Sequence, residues 1–180
     1  TLTTFTGAWA AERKITERAL CAGIFVNDSK LGASSAKANP FVMLSEPCAD
    51  EERGRVYGFN LVYSGNHTEI FEQSFNGTTR AVVGINPSGF SWTLEPGAHF
   101  ETPEAILSYS EEGFGALSRN MHRFVRWFIV RGEWRDRERP VLVNNWEGTW
   151  MDFDEKNLLA IAREGADAGA ELFVMDDGWF

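Results

Sequence analysis

The chain has little cysteine, little histidine and no apolar run that approaches membrane-spanning length, and each shortage excludes a class of protein. Cys21 and Cys48 are the two cysteines in 180 residues, too few for a disulfide framework, and neither belongs to a Cys-x-x-Cys pair. Both are expected as free, partly buried thiols. His67, His99 and His122 show no metal-ligand spacing and draw no role from the sequence. Positive charge is also short: 17 Lys and Arg stand against 26 Asp and Glu, for a net charge of -9. No Lys/Arg stripe offsets phosphate repulsion, so nucleic-acid binding is excluded, and no membrane partner is expected. Residues 48–52 form an acidic surface stretch, and residues 131–139 mix both signs as a solvated connector does. An initiator Met and a signal-peptide pattern are missing, and the chain stops directly after a strand-like run. Both ends are therefore expected to be cuts in a longer protein.

What is present is apolar and aromatic: 43% of residues are hydrophobic and 13% are Phe, Trp or Tyr, enough to bury a sizeable core. Residues 1 to about 130 read as short strands separated by turns. Residues 41–44, 55–64, 69–75, 79–85, 90–94 and 105–109 are the strand-like runs. Asn76-Gly77 between two of them marks a hairpin. Residues 8–20 hold many helix formers, including Glu12, Arg13 and Lys14, yet alternation at Thr3 and Phe5 just before leaves an extended segment open. Turns every 8–12 residues or so argue a β-sandwich. From Gly113 to Val130 the period changes: Phe114, Leu117, Met121, Phe124, Val125 and Phe128 recur at helical steps, with Arg123, Arg126 and Arg131 alongside.

From Arg139 the pattern is β-α-β. Val141-Leu142-Val143 is a short apolar strand, followed by the polar Asn144-Asn145-Trp146-Glu147. Asp152 or Asp154 caps a helix whose apolar face is Leu158, Leu159, Ile161 and Ala162, and Gly169 ends it. Residues 171–175 are the next strand, and the helix is long enough for a right-handed crossover to a parallel partner. Both strands lead into polar, aromatic-bearing tips. In a (β/α)8 barrel such tips face the active-site end. The second tip, Asp176-Asp177-Gly178-Trp179, suits a sugar: carboxylates accept hydrogen bonds from vicinal hydroxyls, and an indole packs on the C–H face of a pyranose. A polar turn closing a strand accounts for the same residues without any ligand.

Residues 139–149, Asp152-Phe153-Asp154 and 172–180 resemble glycoside hydrolase family 36, mainly α-galactosidases. Residues 7–13, Asn39-Pro40-Phe41, 57–66 and Thr102-Pro103-Glu104-Ala105 resemble the same family's N-terminal β-domain, in the same order. Ala36 departs from the pattern, which usually has His before Asn-Pro-Phe. The resemblance implies a mainly β fold: a supersandwich-like β-sandwich over 1–110, a linking helix and connector over 111–138, and from 139 to 180 the first β-α-β unit of a truncated (β/α)8 barrel.

It also implies a retaining hydrolase of terminal α-galactosides of the melibiose and raffinose type. Asp176 and Asp177 would bind hydroxyls of the galactose, Trp146 would help form the pocket, and Trp9 would reach it from the β-domain. Without the resemblance, Trp9 reads as a core tryptophan. Trp150, Glu147 and Trp179 read as structural. A retaining glycosidase needs two carboxyl groups about 5–5.5 Å apart. The resemblance puts both on later barrel strands, so no catalytic residue is expected here and these residues alone should be inactive. No metal or organic cofactor is implied, and a homo-oligomer, a tetramer in related enzymes, is. Asn27, Asn66 and Asn76 open Asn-x-Ser/Thr triplets, but a cytoplasmic protein is the expectation. Two rival readings remain: a non-catalytic carbohydrate-binding β-domain, and an α-N-acetylgalactosaminidase.

Overall fold

A computed structural model describes residues 1–34 and 37–180; Ala36 therefore lies outside the described residues. The chain forms two compact units, Thr1–Val125 and Arg126–Phe180. Among the described residues no helix is long and apolar enough to cross a membrane.

The first unit is a sandwich of two antiparallel sheets. Strands β1 (Leu2–Ala8), β2 (Ala11–Arg18), β4 (Phe41–Ser45), β5 (Val56–Leu61) and β8 (Ala105–Ser110) form a five-stranded sheet in the order β2-β1-β4-β5-β8. Strands β3 (Gly23–Asp28), β6 (His67–Gln73) and β7 (Thr79–Ile85) form a second, in the order β3-β6-β7. Alternation puts Phe59 and Leu61 of β5 on one face and Phe71 of β6 opposite them. The rings of Phe59 and Phe71 meet edge to face at 5.1 Å, joining the sheets through a core that also holds Leu2 and Val42.

The other face of the large sheet carries helix α1 (Gly113–Phe124). Leu117 is buried there, and a Cβ on Gly58 would lie 3.2 Å from its Cδ2, so the glycine allows the close approach. No side chain caps α1. Instead Gly113, Phe114 and Gly115 donate their amides to the carbonyls of Gly54, Asp50 and Glu51, satisfying the groups a helix start leaves open.

Several expectations need correction. Of the two readings left open for residues 8–20 the extended one holds: Ala11–Arg18 forms β2, because pairing with β1 overrides helix propensity, and the register shifts near Arg13, which has φ 55°. Residues 90–94 form no strand despite their alternation. Among the described residues no strand pairs with them, and Phe90 and Trp92 gather on Phe100 instead, at 5.9 and 4.9 Å. The strand expected over 69–75 starts earlier, at His67, and stops before Phe75, which stands almost fully exposed in the turn. Asn76-Gly77 does close the β6–β7 hairpin: Gly77 takes φ 83°, and the Asn76 side chain accepts from the Thr78 amide. Cys21 and Cys48 are free but exposed rather than partly buried. The helix expected to reach Val130 leaves α geometry at Phe124 and continues as a π-helical turn, Val125–Ile129.

The second unit holds the expected β-α-β. Strand β9 (Leu142–Asn144) pairs in parallel with β10 (Leu172–Val174), Val143 opposite Phe173. A single turn, α2 (Trp146–Thr149), and then α3 (Glu155–Asp167) connect them. Asp154 is the cap of α3, its side chain accepting from the Asn157 amide at 2.8 Å. Gly169, at φ 96°, ends the helix as expected. A Cβ on Gly165 would meet Val143 Cγ1 at 2.8 Å, so α3 lies tight on β9.

Candidate functional site

Parallel pairing ends both strands of the second unit on the same side. Asn144 is the last residue of β9 and stands opposite Val174, the last of β10. The residues that follow, Asn145 and Trp146 on one tip and Asp176 and Asp177 on the other, are therefore neighbours in space. The asparagine side chains tie the two tips into one hydrogen-bonded cluster. Asn144 Nδ2 donates to Asp176 Oδ2 at 2.7 Å, while Asn144 Oδ1 accepts from the Trp146 amide at 2.7 Å. Asn145 is 1% exposed; its Oδ1 accepts from the Asp176 amide at 2.8 Å and its Nδ2 donates to Thr149 Oγ1 at 2.9 Å. Thr149 in turn donates to the carbonyl of Asn145 at 3.1 Å. Buried polar groups are thus paired at this tip, which holds it in one geometry.

The second tip is also pinned by its own backbone. The Asp177 amide donates to Asp176 Oδ1 at 2.8 Å, and the Gly178 amide to Asp177 Oδ1 at 3.1 Å. Gly178 takes φ 96°, and a Cβ there would meet Met151 Cα at 3.0 Å, so glycine is required twice over. Asp176 is partly buried and Asp177 exposed. Among the described residues neither carboxylate has an ion-pair partner, and Asp177 Oδ2 makes no hydrogen bond. Of the two carboxylates, that of Asp176 is held through both oxygens and that of Asp177 keeps one oxygen open as an acceptor. Acceptors without cations suit neutral donors such as hydroxyls.

Trp146 stands partly buried in the same cluster, its ring 5.1 Å from that of Trp150 and edge-on to it. Trp179 is 69% exposed and borders a separate apolar cavity of about 450 Å³ with Phe153, Leu158, Phe173 and Met175. Asp176 and Asp177 do not line that cavity. Trp9 belongs to the first unit. It occupies the two-residue turn between β1 and β2, 94% exposed, so the reading of it as a core tryptophan is wrong. The turn forces Ala10 to φ 57°, and the hairpin presents the indole outward. Of the four residues singled out by sequence, Asp176, Asp177 and Trp146 stand on the paired tips of the second unit, and Trp9 stands on a hairpin of the first.

Sequence reasoning gave no role to Asn144 and Asn145, which hold the tips together. Two consecutive asparagines directly after one strand, answered by two aspartates directly after its parallel partner, was the available signal. Among the described residues no group of three or more His, Cys, Asp or Glu is arranged to hold a metal ion.

Comparison with known proteins agrees along the whole chain. Residues 1–95 match the glycosyl hydrolase family 36 N-terminal domain, and residues 99–180 match the melibiase family. The chain is 48% identical over 174 residues to alpha-galactosidase AgaA of Geobacillus stearothermophilus, covering 97% of this chain and 24% of that protein. It is 40% identical over 179 residues to alpha-galactosidase C of Emericella nidulans, covering 99% of this chain and 24% of that one. Solved structures of AgaA variants in complex with raffinose and with stachyose superpose with TM-scores of 0.96 and 0.95 at 47% identity, over 99% of this chain and 25% of theirs. The chain thus spans about a quarter of the length of the relatives it matches. Both the β-sandwich and the β-α-β that follows it are accounted for by these matches, and the chain belongs to glycosyl hydrolase family 36.

Proposed function

We propose that the chain is part of a retaining α-galactosidase that hydrolyses terminal α-galactosyl residues of oligosaccharides, and that Asp176, Asp177 and Trp146 bind the galactose. The observation that carries this reading is the pinned strand tip. Asn144 ties the backbone of Trp146 to the carboxylate of Asp176, so the tip that carries the indole and the tip that carries two acceptor-only carboxylates are held together, with no ion-pair partner for either acid among the described residues. A sugar offers hydroxyl donors to the acids and a C–H face to the indole. Fixing those groups serves catalysis by orienting the substrate.

Asp176 and Asp177 are positioning groups, not the acid/base pair. Neighbouring residues on one tip do not span the sugar as a nucleophile and an opposed acid must. The reacting carboxylates belong to other residues of the whole enzyme. Trp9, exposed on its hairpin, is proposed to approach a galactose site, as a neighbouring subunit of a homo-oligomer would allow. The complexes of a relative with raffinose and stachyose support galactose-bearing oligosaccharides as the substrate class.

The test is turnover of a chromogenic α-galactoside by the full-length enzyme beside the 180-residue chain. Turnover by the former and none by the latter is expected. A full-length protein that binds galactose without turning over the substrate would overturn the reading in favour of a carbohydrate-binding module.

A further inference from the structure

The sandwich buries a titratable pair that the sugar-site reading does not use. His67 and Glu69 lie two residues apart on β6, and both point into the same face as Phe71. Each is 0% exposed. The two ring nitrogens of His67 face acceptors. Nε2 is 2.9 Å from the carbonyl of Ala38, and Nδ1 is 3.1 Å from Glu69 Oε1 and 3.2 Å from Oε2. A carbonyl only accepts, so Nε2 carries a proton. A neutral ring would then turn the Nδ1 lone pair on an ionised carboxylate, an arrangement with repulsion and no hydrogen bond. A second proton must sit between Nδ1 and Glu69.

Asn27 on β3 donates through Nδ2 to Glu69 Oε2 at 2.7 Å and to the carbonyl of Asn39 at 2.8 Å. Glu69 Oε1 has no aligned hydrogen-bond donor among the described residues, which leaves its contact with His67 as one of charge. The charged groups that face the ring are Glu69 on its own strand and Asp28 on β3, and Asp28 is paired with Lys30 at 3.1 Å. Beyond β7, Asn86 contributes an amide, donating to the His67 carbonyl at 3.2 Å. Lys37, exposed, precedes Ala38 on the segment that enters β4.

The two backbone carbonyls that this cluster grips, Ala38 and Asn39, belong to that segment. Asn39 also donates its amide to the carbonyl of Phe5 on β1, the strand whose hairpin carries Trp9. We propose that His67 and Glu69 share one buried proton, and that this proton latches residues 37–40 onto the small sheet, so that their attachment weakens as pH rises. Without the proton the pair keeps a buried negative charge whose only hydrogen-bond donor among the described residues is Asn27. Burial lowers the affinity of the ring for its proton, but the hydrogen bond and charge of Glu69, the Ala38 carbonyl and Asp28 together outweigh it and hold the His67 pKa above its ordinary 6.5. A raised histidine pKa contributes stability that is full below the unfolded value and is lost as pH climbs through the folded one. The inference stands apart from the galactosidase reading.

Hydrogen exchange of the Asn39 amide and its neighbours tests it in the full-length protein, corrected for the intrinsic base-catalysed rate. Protection should be flat below about pH 6.5 and then fall as pH rises, by about tenfold for each unit by which the latched state holds the proton more tightly than the open one. Glu69→Gln is the informative variant. A glutamine amide donates to a neutral Nδ1 while its oxygen still accepts from Asn27, so the pH dependence should vanish. A wild-type profile flat to about pH 9, or a Glu69→Gln profile as steep as the wild type, overturns the proposal. Nitrogen chemical shifts of the His67 ring give a second measure independent of the variant. Nδ1 should change between about pH 5 and pH 9, and an unchanging shift overturns the proposal.

Discussion

Two tips of this chain each carry a tryptophan, and they are held by opposite means. The tips of β9 and β10 are fixed by side chains: Asn144 and Asn145 reach across the parallel pair to Asp176, and Trp146 sits within that cluster. The tip of the β1–β2 hairpin is set mainly by backbone, with one side-chain contact, the Ala10 amide donating to Glu12 Oε1 at 3.2 Å. Ala10 and Arg13 hold positive φ, Gly7 lets the bulged partner strand close in, and Trp9 makes no contact that covers it. One tryptophan stands on a backbone held by polar side chains. The other is presented by a turn that does not depend on the side chain it presents. A ligand site needs the first kind of support, because orientation of acceptors to within a fraction of an ångström is its function. A probe that reaches outward needs the second.

Substitutions can break this contrast. The largest effect belongs to Asp177→Ala in the full-length enzyme. Hydrogen bonds to a charged group contribute about 1.5–3 kcal/mol each, so kcat/KM should fall by about 10- to 150-fold while the melting temperature barely moves. Asn145→Ala strikes the support instead. It leaves the Asp176 amide and the Thr149 hydroxyl short of partners at a buried position, and chemical denaturation should show a loss of about 1–3 kcal/mol. Gly7→Ala is its counterpart at the hairpin. The new Cβ would lie 2.6 Å from the Ala11 carbonyl oxygen, and denaturation should again show a loss, of about 1–3 kcal/mol. Trp9→Ala should be nearly silent in the same measurement, within about 0.5 kcal/mol, since an exposed side chain away from any partner contributes little. A large loss in Trp9→Ala would erase the contrast by showing that the indole holds its own hairpin.

The sequence carried what is local. The cap at Asp154, the stop at Gly169 and the hairpin at Asn76-Gly77 each depend on a few adjacent residues, and each is found. The parallel β-α-β followed from helix length and two apolar runs. What failed or stayed open depended on partners distant in the chain. Residues 11–18, open to either reading, became a strand because β1 lies beside them, and residues 90–94 did not because among the described residues no strand pairs with them. Asn144 and Asn145 acquire their role only when parallel register brings the two tips level. His67 has no metal-ligand spacing, yet its two-residue step from Glu69 places both on one face of a strand. Trp9 is the instructive case: average burial argued for the core, and a two-residue turn with left-handed backbone put the ring in solvent.

The central claim is that the Asp176-Asp177 tip binds the sugar. Steady-state kinetics of full-length Asp177→Ala against a chromogenic α-galactoside, with folding verified by denaturation, tests it most directly. A fall in kcat/KM of about 10-fold or more in a protein of unchanged stability is the expected result. Full activity in that variant would contradict the claim, leaving the family membership in place and the site elsewhere.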